Sequence, residues 1–168
     1  MKKADEARAE YEREIGRLVI TLSELDGLVR SCKGLVFGER FSKKWDSKTS
    51  RKRIRAVQER LKQRRSAPLC THLVELKALL DEVKPLLELR NLVAHRILTF
   101  RPSALSFYHG NFEMWNPDTR SSLSVETLAK ASDEGRRLLY RIFDCLEDHE
   151  RCVPDNYPDN IEDALDPP

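Results

Sequence analysis

Apolar residues at Ile15, Leu18, Val19, Leu22, Leu25, Leu28, Val29 and Cys32 recur at spacings of three and four. That is the period of one stripe along an α-helix. It predicts an amphipathic helix over residues 4–32, broken by Gly34 and Gly38. Residues 51–65 carry a thinner stripe, Ile54, Val57 and Leu61, among charged and polar neighbours, as an edge helix does. Pro68 suits the first turn of a third helix, whose core face is Leu69, Leu73, Leu76, Leu79, Leu80 and Val83. Pro85 has no N–H to donate and its ring clashes with the preceding turn, so a kink or restart is expected there. The stripe resumes as Leu86, Leu87, Leu89, Leu92, Val93 and Ile97, a second segment collinear with the first.

Between Leu98 and Asn116 the period shifts. Leu105 and Phe107, then Phe112 and Met114, alternate about a turn at His109-Gly110-Asn111. This predicts a short β-hairpin, ended by Asn116-Pro117-Asp118. Two strands alone are marginal, so Phe100, Phe107, Tyr108 and Trp115 should rest on the helices. Ser124 fits an N-cap, and Glu126 suits the positive end of the helix that follows. Its apolar face runs through Leu128, Ala131, Gly135, Leu138, Leu139, Ile142 and Leu146 to about His149. Gly135 inside that stripe implies close helix packing. The expected fold is mainly all-α: an antiparallel bundle of four to five helices with a short β-hairpin inserted before the last one. It forms one domain over 1–152, followed by an acidic, Pro-rich tail over 153–168.

With 168 residues, 40% hydrophobic and 35% charged, the chain can bury one core and remain soluble. No run approaches the roughly 20 apolar residues of a membrane helix. Met1–Glu6 is charged and lacks an apolar run, so no signal peptide is expected and the location reads as cytoplasmic, away from membranes. Cys32, Cys70, Cys145 and Cys152 show no Cys-x-x-Cys spacing, which predicts neither a structural metal nor a disulfide framework. Cys32 and Cys70 sit among apolar neighbours and read as small core residues. No glycine-rich phosphate loop or other cofactor motif is present. The formal net charge of +2 conceals an asymmetry: residues 43–65 hold eleven Lys/Arg against Asp46 and Glu59, and residues 144–168 hold nine Asp/Glu against Arg151. Such separation suits a polyanion-binding face, or a solvated helix with a solubilising tail. Charge alone does not choose between them.

The compact polar constellation that interrupts an apolar helix is Glu88-Leu89-Arg90-Asn91-Leu92-Val93-Ala94-His95-Arg96. Asn91 and His95 are four apart and share a helical face. Arg90 lies about 100° round the helix, and its long side chain reaches toward that face. A guanidinium grips phosphate with two parallel hydrogen bonds, and an imidazole titrates near neutrality and moves protons. Together they meet the minimum needs of metal-free RNA cleavage. The same residues also fit a packed histidine and an Arg-Asn pair bonded to nearby acids.

An Arg followed by a polar residue, with His95 closing the motif late in a bundle helix, resembles the signature of the HEPN superfamily. Arg96 departs from it, because many members carry a small residue there. The resemblance implies a metal-independent endoribonuclease with Arg90, Asn91 and His95 as catalytic residues, working without a cofactor. It implies a homodimer formed through the motif-bearing helix. RNA would be the substrate, with Arg96 and the basic-helix residues Arg51, Arg55 and Lys62 as candidate contacts. Such proteins serve as toxins or phage-defence effectors, so a cognate antitoxin or defence partner is also implied. Two other readings stay open: a non-catalytic HEPN-like module binding nucleotide, RNA or protein, and an interaction bundle in which Arg90 and His95 are structural.

Overall fold

The stripe of the first helix is buried along its length, with Leu18, Leu22, Leu25 and Val29 wholly shielded from solvent. This computed structural model describes residues 2–37, 43–63, 71–95, 99–102, 112–116 and 121–152. Helix α1 spans Lys2–Ser31, followed by two short helices, α2 (Lys33–Phe37) and α3 (Lys43–Asp46). Three long helices follow in the chain: α4 (Ser50–Gln63), α5 (Thr71–His95) and α6 (Val125–Cys152). Between α5 and α6 lie β1 (Thr99–Pro102), β2 (Phe112–Asn116) and β3 (Ser121–Leu123). The protein is mainly helical, with a small antiparallel sheet placed before the last helix.

Helix α5 runs antiparallel to α6, since Glu82 meets Arg137, Glu75 meets Arg141, and His72 faces Asp148. It is antiparallel to α4 as well: Gln58 donates to the Lys77 carbonyl at 3.2 Å, while Arg51 faces Glu88. Against α6, α1 runs in the same direction, with Arg17 bonded to Asp133 and Leu22 packed on Gly135. A side chain at position 135 would force Leu22 to shift. A Cβ there would sit 2.7 Å from Leu22 Cδ2 and 3.2 Å from Thr21 Cγ2.

Four expectations need correction. Gly34 does not end the first helix; the chain turns at Cys32, and Gly34 lies inside α2. Helix α5 passes through Pro85 without a break, so there is one helix where two segments were expected. Pro85 and Asp81, whose carbonyl lacks the usual N–H donor, are both exposed, and water can satisfy that oxygen. The first strand lies earlier than the alternation implied, with Thr99 opposite Trp115 and Pro102 opposite Phe112. Leu105, Phe107, Tyr108 and the turn His109-Gly110-Asn111 lie outside the described residues. A third strand, β3, pairs Met114 with Leu123 and Asn116 with Ser121; three residues are too few to show an alternation.

The sheet rests on α1. The Tyr11 hydroxyl donates to the Leu123 carbonyl at 3.0 Å, and its ring meets Phe100 edge to face. Ser124 caps α6, accepting from the Thr127 N–H at 3.1 Å, and it also holds the Glu126 carboxyl below its ordinary range. Ile54, Val57 and Leu61 tie α4 to the core. Among the described residues, no helix is long and apolar enough to cross a membrane. The tail over 153–168 lies outside the described residues.

Candidate functional site

Arg90 and Asn91 occupy the last turns of α5, where its packing changes. Leu73, Leu76, Leu79, Leu80, Val83 and Leu87 are buried, whereas Leu86, Leu89, Leu92 and Val93 are only half-buried against the core. The motif thus lies where the helix emerges from the bundle. Arg90 is half-buried: its Nη1 donates to Asn91 Oδ1 at 3.3 Å, and its Nε is shielded from solvent with no hydrogen-bond partner. Asn91 is exposed. His95 is the last residue of α5, one turn beyond Asn91 on the same face; its side chain lies outside the described residues, as does all of Arg96.

Both described motif residues open into a cleft of about 500 Å³ between α1, the start of α4 and α5. Among the described residues, its lining holds six cations, Arg30, Lys48, Arg51, Arg53, Lys84 and Arg90, and two carboxylates, Asp26 and Glu88. The carboxylates are engaged. Asp26 lies 3.4 Å from the buried Arg53 guanidinium, and Glu88 lies 3.7 Å from Arg51.

Arg53 shapes this wall. Its Nη2 donates to the Asp46 carbonyl at 3.0 Å and its Nε to the Trp45 carbonyl at 3.3 Å, which fixes the turn between α3 and α4. Trp45 is fully buried and donates from Nε1 to the Arg30 carbonyl at 2.9 Å. That bond satisfies an orphan acceptor at the C-terminal end of α1. The Arg53 N–H bonds the Thr49 carbonyl, so Thr49 stands at the start of α4 and the first-turn N–H groups of that helix border the cleft.

Of the basic-helix candidates, the structure brings only Arg51 to the motif. Arg55 is exposed and held by Glu59 at 2.7 Å. Lys62 is exposed near the far end of α4, about 16 Å along the axis from Arg51 at the usual helical rise. Neither lines the cleft. Sequence reasoning missed Arg30 and Lys84, single cations on other helices that only packing places opposite Arg51. Among the described residues, no three His, Cys, Asp or Glu side chains gather as a metal-binding set.

A second groove lies between α1 and α6, lined by Arg13, Arg17, Ile20, Leu139 and Tyr140 among others. Ile20 and Tyr140, both 63% exposed, give it an apolar rim, and neither Arg90 nor Asn91 lines it. Comparison of the chain with family models, curated proteins and solved structures returns no match.

Proposed function

We propose that the protein is a metal-independent endoribonuclease of HEPN type that acts as a homodimer. The observation that carries this reading is the opening of Arg90 and Asn91, beside His95 in the chain, into a cation-lined cleft at the end of a core helix. In the proposed reaction the RNA 2′-hydroxyl attacks the adjacent phosphorus and expels the 5′-oxygen, leaving a 2′,3′-cyclic phosphate. His95 accepts the hydroxyl proton or supplies one to the leaving oxygen. Arg90 stabilises the charge that builds on the phosphate. Asn91, exposed one turn before His95, positions the phosphate or the imidazole. The half-buried Leu89, Leu92 and Val93 beside the motif support pairing of two copies through α5, each contributing an Arg90 and a His95.

The test is incubation with labelled single-stranded RNA in EDTA, comparing wild type with His95→Ala and Arg90→Ala. Cleavage with cyclic-phosphate ends is expected from wild type, with losses of about 100-fold or more in each variant. DNA of the same sequence should resist, because it lacks the 2′-hydroxyl. Equal cleavage by wild type and His95→Ala would remove His95 from the reaction. Light scattering checks the dimer, and a monomer at assay concentration would overturn that part. The second reading, a non-catalytic phosphate-binding module, is favoured by one observation: cations from α1, α4 and α5 converge on the cleft, which phosphate binding alone would require.

A further inference from the structure

We propose that the cleft between α1, the start of α4 and α5 is a second phosphate site, which holds a backbone phosphate next to the one cleaved. That the strand is RNA rests on the ribonuclease reading above; the phosphate chemistry of the cleft does not. Among the described residues, six cations line the cleft against two carboxylates; both carboxylates face arginines of the same wall, and Lys84 is paired with Asp81. Arg30 from α1 and Arg90 from α5 approach the cleft from different helices, and neither forms an ion pair among the described residues. Gathering like charges in a partly enclosed space is unfavourable unless an anion neutralises them.

The chemistry of the donors selects the anion. Guanidiniums offer planar forks that match phosphate oxygens, and the buried Arg90 Nε has a hydrogen-bond donor unspent. The Thr49 and Ser50 positions and the first turn of α4 border the same space, adding a positive helix end to the cationic walls. Arg90 borders this cleft and belongs to the cleavage motif, so a strand seated here would run from the cleft to His95. A single phosphate bound to Arg90 would leave Arg30 without an anion and Arg51 with only the exposed Glu88 at 3.7 Å. Two successive phosphates satisfy both groups.

The experiment measures binding of a 2′-O-methyl oligonucleotide, which cannot be cleaved by this chemistry, to wild type, Arg30→Glu, Arg51→Glu and Lys130→Glu. Lys130 is exposed on α6 and controls for net charge. Circular dichroism checks that each variant is folded. AMP and inorganic phosphate are titrated in parallel. The expected result is a rise in Kd of about tenfold or more for Arg30→Glu and for Arg51→Glu, with Lys130→Glu within about twofold of wild type. The slope of log Kd against log salt should fall by about 0.7 for each phosphate that a variant no longer neutralises.

Wild-type binding unaffected by Arg30→Glu and Arg51→Glu, or no binding at all, would overturn the site. AMP bound as tightly as the oligonucleotide, with the same dependence on Arg30, would overturn the strand assignment in favour of a free nucleotide. The two proposals fail separately. Oligonucleotide binding that depends on Arg30, without cleavage of any RNA, would retain the phosphate site and remove the ribonuclease. Cleavage that depends on His95, with binding indifferent to Arg30 and Arg51, would do the reverse.

Discussion

Arg53 illustrates how one side chain can be both charged and structural. It is 3% exposed, a burial that a lone cation does not tolerate without partners, and it finds them in Asp26 and the carbonyls of Trp45 and Asp46. Removing it would leave Asp26 without its counter-charge and two carbonyls without a donor. Arg53→Met should therefore lower stability by about 3 kcal/mol, read as a shift of the urea midpoint; an unchanged midpoint would show that this cluster carries no net stability. In the sequence Arg53 is one of eleven cations in a run, and nothing local separates it from Arg51 or Arg55. Their fates diverge because burial depends on which face of α4 meets α1 and α3. Trp45, fully buried among lysines, escaped the periodic pattern for the same reason.

At the scale of the element, Gly135 connects helix propensity to packing. Alanine is favoured over glycine in a helix interior by about 1 kcal/mol, yet a methyl here would press into Leu22 at 2.7 Å. Overpacking of a filled contact costs about 1–3 kcal/mol, which exceeds the gain. Gly135→Ala should therefore destabilise the protein by about 1 kcal/mol in a denaturant melt, and Leu22→Ala in the same chain should relieve the clash, so that the two changes together cost less than their sum. A stabilised Gly135→Ala protein would show that Leu22 moves aside freely. This close approach was legible in the sequence as a glycine within an apolar stripe, as were the N-cap at Ser124 and the core face of α4. Continuity through Pro85 was not, because it depends on the exposure of Asp81 and Pro85, which the neighbouring helices decide.

For the whole molecule, burial also governs the thiols. Burial pushes Cys32 up to about 12 and Cys145 up to about 11, against an ordinary value of 9.0. Both are therefore protonated in the folded state where the unfolded chain would begin to ionise. The sign follows from linkage: their contribution to stability is complete below pH 9.0 and falls as the pH rises through the folded values. In a Cys70→Ser, Cys152→Ser background, Cys32 and Cys145 should react with a thiol reagent at pH 8 only as fast as the protein unfolds. Rapid labelling of either in native buffer would contradict the burial of this core.

By itself the sequence determined the helical stripes, the cap and close packing of the last helix, and a motif in which Asn91 and His95 share a face. These follow from periodicities of a few residues, which neighbouring side chains state directly. Only the tertiary structure decided that β3 completes the sheet, that Trp45 is core, and that Arg51 rather than Arg55 or Lys62 joins Arg90. It also brought Arg30 and Lys84 to the same cleft. Each of these depends on packing between helices far apart in the chain. The sequence holds the charges that make the cleft, but only the bundle brings them to one side of α5.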